Sequence, residues 1–403
     1  MKREKSKNLI VIVGNGFDLA HGLKTSFNDF ADYYIKNIVL NDILNYETEP
    51  KILSESFINR LIQSQHFRFP AYENLTKEKI FHNFLYDCKE KNKDEILYFI
   101  SENYILLKQI ISNEFLAKLY TDNYLNWFNI EQAYYAELNS IYLSNNNSNL
   151  INHALVKLNK ELQEIKYAFQ EYLFTNIKSF EDKNIYNSLK EHFKERNQVC
   201  FINFNYTYSV EQYYRLEKDD NLKKTLKRIK NIHIHGQMQT DIIFGYGDDT
   251  DNAYKLMKNS REKEYLRNFK TFDYLIKTEY REMLNELAVY KNYDVLVIGH
   301  SLDTTDKTIL KTILDTPKCN NIELLKRSDL KNIDEEVEYH FELHANLSRI
   351  FENEKDLREK VIPFLRSVNF PIMMNEDFNI IHDRERKFYI KKEPLNLGAP
   401  SIS

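Results

Sequence analysis

Several short apolar runs in the chain each end in a polar loop, which is the pattern of buried strands in a parallel sheet. The runs cover residues 8–13, 198–202, 231–235 and 293–298, with residues 319–325 as a further candidate. Strands that are covered on both faces have continuous apolar runs rather than alternating ones. The pattern predicts an α/β fold with a Rossmann-like parallel sheet. Because ligands bind at the carboxyl ends of such strands, the polar loops become the candidate site.

The stretch between Gly22 and Gly236 contains no glycine, and its apolar residues recur every three to four positions. This period is that of the buried face of an α-helix. The clearest stripe comprises Leu155, Leu158, Leu162, Ile165, Phe169, Leu173 and Ile177. We therefore predict a helical insertion over residues 45–195. A separate helix is predicted to start near Ser26, where Ser26 and Asp29 resemble a capping box.

The predicted organisation has three parts. A discontinuous α/β nucleotide-binding core covers residues 1–44 and 196–327 and includes a helix over about 304–315. The all-helical insertion covers 45–195. Residues 328–403 are predicted to be a mixed C-terminal appendage that contains an acidic helical stretch and ends in a loose tail.

Composition narrows the class of protein. The 403 residues include 56 Lys and Arg against 60 Asp and Glu, a net charge of −4, and 42% are hydrophobic. This apolar content excludes general disorder, and the near-neutral charge argues against nucleic acid held by a basic field. Cys88, Cys200 and Cys319 form no CxxC pair, which argues against a disulfide scaffold or a four-thiolate zinc site. The first apolar run is too short for a membrane span, so we expect a cytoplasmic protein without a membrane partner.

Glycine is scarce, and seven of the eight glycines mark three loops. They are Gly14, Gly16 and Gly22, then Gly236, Gly245 and Gly247, and finally Gly299. Gly14-Asn-Gly16 follows the first predicted strand, so it is either a phosphate-cradling turn or a plain tight turn. The third glycine of the dinucleotide fingerprint is absent. Asp18 either caps this loop, which we favour, or binds a ribose.

Two histidines end the third predicted strand. Alternation places His233 and His235 on the same face of that strand. Three roles fit them: a metal pair, for which no third ligand is evident, a general base on one histidine, and a hydrogen-bonded structural histidine.

The loop after the fourth predicted strand reads Gly299-His-Ser301-Leu-Asp303. It lacks the second glycine of a nucleophile elbow. We assign Ser301 and Asp303 as hydrogen-bonding partners of a ligand or as helix caps. Asp303 and Asp306 lie one turn apart at a predicted helix start, where capping is a competing role for both.

Trp127 and Glu131 lie on one face of a predicted helix, four residues apart. Trp127, the only tryptophan, is most simply a core anchor. Glu131 could reach the site from the insertion, although an exposed carboxylate is the interpretation that we favour.

In their order along the chain, these motifs resemble the AbiH family, which comprises bacterial abortive-infection proteins of phage defence. The motifs are Gly14-Asn-Gly-Phe-Asp-Leu-Ala-His-Gly-Leu-Lys-Thr-Ser-Phe27, Trp127 with Glu131, Phe204-Asn-Tyr-Thr207, His235-Gly236 and Gly299-His-Ser-Leu-Asp303. They extend from the amino terminus to about residue 310. Each is common alone, but the ordered combination is specific.

The same loops are similar, more distantly, to the NAD-binding core of sirtuins and of sirtuin-like defence NADases. The matching segments are Gly14-x-Gly16 with Gly22-Leu-x-Thr25, Asn205-Tyr-Thr-x-x-x-Glu211, His235-Gly at the catalytic histidine, and Gly299-x-Ser301 at the ribose-binding loop. Thr207 stands where an Asp is usual, and Lys24 and Phe27 replace Pro and Arg. The paired cysteines of the sirtuin zinc module are absent, which counts against protein deacylation.

The resemblances imply a phage-defence effector that binds an NAD-like nucleotide and hydrolyses its N-glycosidic bond. His235 would accept a ribose proton or activate water, and Asn205 would position the ribose or the water. The glycine loop, supported by Asp18, would hold the pyrophosphate, and Ser301 and Asp303 would bind ribose hydroxyls. The other residues predicted for the nucleotide site are Gly14, Asn15, Gly16, Phe17, Gly22, Thr25, Tyr206, Thr207, Gly236 and Gly299. NAD or a related nucleotide is the implied ligand or substrate, and no metal is expected.

Two other functions stay open. The α/β core could be a nucleotide-sensing scaffold, with aromatic-rich helices of the insertion as the interface for a phage or host protein. It could instead be a metal-dependent nuclease toxin that uses His233, His235 and acidic residues, a function that the near-neutral charge weakens. Formation of a homo-oligomer is also left open.

Overall fold

A five-stranded, all-parallel sheet forms the centre of the protein. A computed structural model describes residues 5–34, 37–38, 113–121, 127–144, 147–177, 189, 192–211, 226–327 and 333–370. The strands are β1 (Asn8–Val13), β2 (Gln198–Asn203), β3 (Arg228–His233), β4 (Tyr293–Ile298) and β5 (Cys319–Leu324). Their order across the sheet is β3-β2-β1-β4-β5.

The strand order reverses at β1, so the chain continues from β1 to one side through β2 and β3 and to the other side through β4 and β5. The predicted site lies at the carboxyl ends of these strands. β1 pairs with β2 on one side and with β4 on the other, and Val13 is opposite both Asn203 and Ile298. Asn203 is in turn opposite His233 at the end of β3. The loops after four strands therefore leave the sheet side by side, at the point where open α/β sheets form a crevice.

Four of the five predicted strands are confirmed to within one residue. The exception is β3, which ends at His233, so the prediction that His233 and His235 share one strand is wrong. The chain turns immediately after this strand, because Gly236 has a φ of +81° and its N–H donates to the carbonyl oxygen of His233. His235 consequently lies in the turn rather than in the pleat.

Helices cover most of the remaining described chain. They are α1 (Asn15–Ala20), α2 (Phe27–Tyr34), α3 (Glu114–Thr121), α4 (Trp127–Leu143), α5 (Ser148–Asn176), α6 (Asn252–Asn259), α7 (Lys270–Ile276), α8 (Glu279–Val289), α9 (Lys307–Leu314), α10 (Ile333–Ser348) and α11 (Glu354–Lys360). Short 3₁₀ helices cover Lys263–Leu266, Thr304–Asp306 and Phe364–Arg366. None of the helices in the described ranges is long and apolar enough to cross a membrane.

The predicted helix signals between β1 and β2 are confirmed where the structure describes them. Ser26 Oγ accepts from the backbone N–H of Asp29 at 3.1 Å, and the Asp29 carboxylate accepts from the N–H of Ser26 at 3.1 Å. This is the reciprocal pattern of a capping box at the start of α2. The stripe along α5 is buried from Leu155 to Leu173. Since much of 45–195 lies outside the described residues, a continuous insertion over that range stays a prediction.

Both faces of the sheet are covered. Ile10 and Ile12 of β1 point into a core that includes residues of α8, α9 and α10, whereas Val11 and Val13 point into a core that includes Phe17 of α1. Alternate burial on two faces explains why the strand sequences are continuously apolar. A two-stranded sheet, β6 (Lys326–Arg327) with β7 (Asn369–Phe370), joins the segment after residue 333 to the α/β core.

A buried ion pair stabilises the amino edge of the sheet, and we predict that it contributes measurably to stability. Arg196 Nη1 lies 2.6 Å from Asp294 Oδ2, and the N–H of Ser6 donates to the same oxygen at 2.9 Å. Replacing Asp294 with asparagine leaves a buried guanidinium without its counter-charge, so the free energy of unfolding should fall by about 2–3 kcal/mol. Urea unfolding would measure this loss. Glu354→Gln, at an exposed position on α11, should change it by less than about 0.5 kcal/mol.

Candidate functional site

The glycines of the first and fourth loops pack against each other. A Cβ on Gly14 would lie 2.6 Å from the Cα of His300, and one on Gly16 would lie 2.7 Å from the Cα of Gly299. Gly299 has a φ of +65°, and a Cβ there would overlap the backbone nitrogen of Phe17. These glycines are therefore required for the close approach of two backbone segments.

We predict that Gly299→Ala is destabilising. The left-handed backbone alone costs about 1–2 kcal/mol for a residue with a Cβ, and the overlap with the neighbouring loop adds to this. Urea unfolding should therefore show a loss of more than about 2 kcal/mol. Gly22→Ala is the matched control, because Gly22 has a φ of +75° but lies outside this loop contact. Equal losses in the two variants would contradict the packing role.

Backbone hydrogen bonds fix the predicted glycine loop to its neighbour. The N–H of Gly14 donates to Ile298 O at 3.1 Å, and that of Gly16 donates to Gly299 O at 2.9 Å. The N–H of Phe17 donates to Gly14 O at 2.9 Å, and the Phe17 ring is buried against His21 and Phe370. These three N–H groups thus have partners within the chain.

The loop after β2 holds the glycine loop from the other side. Asn205 Nδ2 donates to Gly14 O at 3.0 Å, and the Tyr206 hydroxyl donates to Ile243 O at 3.0 Å. Thr25 Oγ1 donates to Asn15 Oδ1 at 2.6 Å, which connects the end of the loop to its start. The predicted residues of the first two loops therefore meet at one place.

Asp18 connects the glycine loop to the loop after β2 through its buried carboxylate. Its carboxylate accepts from Thr207 Oγ1 at 2.7 Å and from Ser209 Oγ at 2.5 Å. Burial raises the pKa of Asp18 to about 6, although the hydrogen bonds from the two hydroxyls act in the opposite direction. Asp18 therefore bonds to the loop after β2 rather than to a backbone N–H at a helix start.

A chain of buried charges lies beside these loops. Lys270, on α7, is fully buried, and its Nζ lies 2.8 Å from Glu131 Oε2 and 2.8 Å from Asp306 Oδ1. Glu131 Oε1 also accepts from the N–H of Gly245 at 3.0 Å. Glu131 is 6% exposed, so the interpretation of it as an exposed carboxylate is wrong. The tertiary fold brings α4 against the site, which the spacing on α4 did not reveal.

Asp306 also faces two buried histidines. Its Oδ1 lies 3.1 Å from His235 Nε2, and its Oδ2 lies 3.6 Å from His300 Nε2. The ring of Phe204 packs edge-on against both imidazoles, at 5.0 Å from His235 and 4.2 Å from His300. The Tyr274 hydroxyl lies 3.2 Å from His235 Nε2. We call Glu131, Lys270, Asp306, His235 and His300 the charged cluster.

Hydrogen bonding assigns the tautomer of each imidazole. His300 Nδ1 accepts from the N–H of Leu302 at 2.9 Å, so the proton of a neutral His300 is on Nε2 and faces Asp306. In His235 the nitrogen that faces Asp306 is also Nε2. With the proton there, the lone pair of His235 is on Nδ1, which has no hydrogen-bond partner among the described residues. This is the state that a general base requires.

The protonation equilibria of the charged cluster are strongly shifted. Burial lowers the pKa of His235 to about 4, outweighing the nearby Asp306 carboxylate, so the imidazole is neutral at physiological pH. Burial raises the pKa of Glu131 to about 7 despite the Lys270 ammonium. Although burial opposes its ionisation, Lys270 and His235 hold the pKa of Asp306 well below its ordinary value. Two carboxyl groups with diverging pKa values are a frequent property of acid–base sites.

The other predicted residues lie around this centre with mostly structural contacts. Asp303 Oδ1 accepts from the N–H of Thr305 at 3.2 Å and from Gln132 Nε2 at 2.9 Å, so it caps the helix start as the capping alternative expects. Ser301 is partly exposed, and its carbonyl oxygen accepts from Asn346. The side chain of Trp127 lies outside the described residues.

His233 belongs to a different group from His235. Its Nε2 lies 2.8 Å from Glu211 Oε1, and its Nδ1 lies 3.1 Å from the carbonyl oxygen of Asn205. Within the described ranges, no group of three or more His, Cys, Asp or Glu side chains is arranged to hold a metal ion.

Sequence reasoning missed three members of this site. His300 stands inside the Gly299-His-Ser motif, and Asp306 was considered only as a helix cap. Lys270 lies in no motif, and only the fold shows that it is buried between two carboxylates.

The chain matches one known protein family over most of its length. Residues 10–326 match the family described as Bacteriophage abortive infection AbiH, so the chain belongs to the AbiH family. The match includes β1 from Ile10 onward, the other four strands and every member of the charged cluster. Membership supports a role in abortive infection by bacteriophage. Searches of curated proteins and of solved structures give no significant match.

Proposed function

We propose that the protein is a phage-defence effector that binds an NAD-like nucleotide and hydrolyses its N-glycosidic bond. The observation that carries the proposal is the Asp306–His235 pair at the carboxyl edge of a parallel sheet, since the uncharged imidazole has no partner for Nδ1 among the described residues. The order β3-β2-β1-β4-β5 supports it, because it matches the first five strands of doubly wound dinucleotide-binding sheets.

His235 and Asp306 divide the chemistry between them. Water attacks C1′ of the ribose and gives its proton to Nδ1 of His235, while the electron pair of the glycosidic bond leaves with nicotinamide. The products are ADP-ribose, nicotinamide and one released proton. Asp306 holds the His235 tautomer and favours the positive charge that develops on the imidazole and on the ribose.

The remaining predicted residues take supporting roles in the proposal. Asn205 donates to Gly14, and Asp18 accepts from Thr207 in the loop after β2. In the proposal, these bonds fix the two loops against which the ribose would bind. Ser301, which is partly exposed two residues after Gly299, would bind a ribose hydroxyl. Since the N–H groups of Gly14, Gly16 and Phe17 are occupied, the proposal assigns this loop a packing contact with the nucleotide rather than a phosphate cradle.

The test is NAD turnover by purified wild type and His235→Ala. We expect wild type to release nicotinamide and ADP-ribose, and His235→Ala to lose at least about 100-fold in kcat, the usual contribution of a general base. His153→Ala, at an exposed histidine of α5, is the matched control and should keep wild-type activity. Thermal unfolding of each variant would verify that it is folded.

Nucleotide levels in phage-infected cells provide the second arm of the test. NAD loss in cells with wild type, but not in cells with His235→Ala, is the expected result. Protection from phage with unchanged NAD would overturn hydrolysis. Tight NAD binding without turnover would then favour the nucleotide-sensing scaffold.

A further inference from the structure

The connection between α4 and the proposed catalytic pair consists of two buried side chains. Glu131 Oε2 and Asp306 Oδ1 each lie 2.8 Å from the Nζ of Lys270. Lys270 is 0% exposed and Glu131 is 6% exposed, so water does not compete for these contacts. Neither side chain is a hydrogen-bond partner of His235.

The orientation of the Asp306 carboxylate depends on Lys270, because this carboxylate contacts three side chains at once. One oxygen faces His235 and Lys270, and the other faces His300. An ammonium on the first oxygen fixes the rotation of the carboxylate, and that rotation decides whether the same oxygen also faces His235. Lys270 in turn is fixed by Glu131, because its second short contact is with that carboxylate.

Glu131 is itself held at a defined place. Its other oxygen accepts from the N–H of Gly245 at 3.0 Å, and the neighbouring Gln132 donates to Asp303 in the helix cap that precedes Asp306. Gln132 thus contacts the segment that carries Asp306 directly, and Glu131 reaches Asp306 through Lys270. α4 lies between β1 and β2 in sequence, far from Lys270 and Asp306.

We infer that Glu131 and Lys270 are positioning residues, which set the orientation of Asp306 and thereby of His235, so that the site is complete only when α4 is docked. The inference rests on the proposed function for its kinetic part. Its structural part, the dependence of the His235 environment on Glu131, stands independently of the reaction.

The experiment compares Glu131→Gln with Glu137→Gln in the full chain. Both replace a glutamate of α4 by glutamine, but Glu137 pairs with Lys118, away from the site. At position 131, the amide oxygen of glutamine can still accept from the N–H of Gly245. The carboxylate that pairs with the Lys270 ammonium is lost. We expect Glu131→Gln to lower kcat for NAD about 10–100-fold with little change in KM, because it misplaces a reacting group without contacting substrate. Glu137→Gln should match wild type.

A second measurement follows the histidines without any turnover. In protein with ¹³C-labelled histidine side chains, the NMR signals of His235 and His300, assigned by His235→Ala and His300→Ala, should move in Glu131→Gln and stay in place in Glu137→Gln. If Glu131→Gln does not fold, Glu131→Asp, which keeps the charge on a shorter side chain, should move the same signals.

The outcomes separate the two proposals. If wild type does not hydrolyse NAD but the signals move in Glu131→Gln, the proposed reaction is rejected and the positioning role remains supported. Unmoved His235 and His300 signals in folded Glu131→Gln would overturn the positioning role, whatever the activity of wild type.

Discussion

Lys270→Met is expected to lower the free energy of unfolding by about 3–5 kcal/mol, the usual effect of removing one member of a buried ion pair. Methionine fills a similar volume, so the loss comes from charge rather than from a cavity. Without the ammonium, Asp306 remains a buried carboxylate with no cation beside it, and Glu131, whose pKa is already raised to about 7, is driven further toward its protonated form. Although burial acts in the opposite direction, these two carboxylates raise the pKa of Lys270, so wild type keeps the charge at neutral pH.

Urea unfolding of Lys270→Met against Lys160→Met would measure this effect. Lys160 is 78% exposed on α5, and its replacement should change the free energy of unfolding by no more than about 0.5 kcal/mol. Adding Glu131→Gln and Asp306→Asn to Lys270→Met replaces the two orphaned acidic groups by neutral amides and should restore part of the stability. Equal stability of Lys270→Met and wild type would contradict the buried charge chain.

The sheet was predictable because its sequence signal is local. A strand buried on both faces is apolar at nearly every position, and the runs at 8–13 and 293–298 match β1 and β4 to the residue. The capping box of Ser26 and Asp29 and the stripe of α5 are local in the same sense. At β3 the signal failed, because His235 continues an alternating pattern that the turn at Gly236 interrupts.

The charged cluster was only partly predictable, because its members come from separate parts of the sequence. His235 and the Gly299 loop were found, since each directly follows a strand. Glu131 looks like any surface carboxylate of a helix, and Lys270 has no motif at all. Their burial depends on how α4 and α7 pack around the loops, which is a tertiary property without a local pattern. For the glycines, the sequence predicts where the loops lie. Their role in the close packing of two loops is visible only in the fold.

Asp306→Asn is expected to lower kcat for NAD by about 10³–10⁴-fold, the size of effect known when the carboxylate that orients a catalytic histidine is replaced by its amide. Asparagine keeps the shape but can turn an N–H₂ group toward His235 Nε2. The imidazole then accepts at Nε2 and carries its proton on Nδ1, so the proposed base no longer faces the water with a lone pair. Asp241→Asn, at an exposed position, is the control and should keep wild-type kcat.

The pH dependence distinguishes this role from a general loss of structure. In wild type the active form has a neutral His235 with a pKa of about 4, so kcat/KM should fall on the acid side near that value rather than near 6.5. Asp306 is the strongest of the groups that favour the protonated imidazole, so Asp306→Asn should move this acid limb to still lower pH in the residual activity. An acid limb that stays at the same pH in Asp306→Asn would show that the titrating group is not in contact with Asp306. The general base would then have to be sought away from His235.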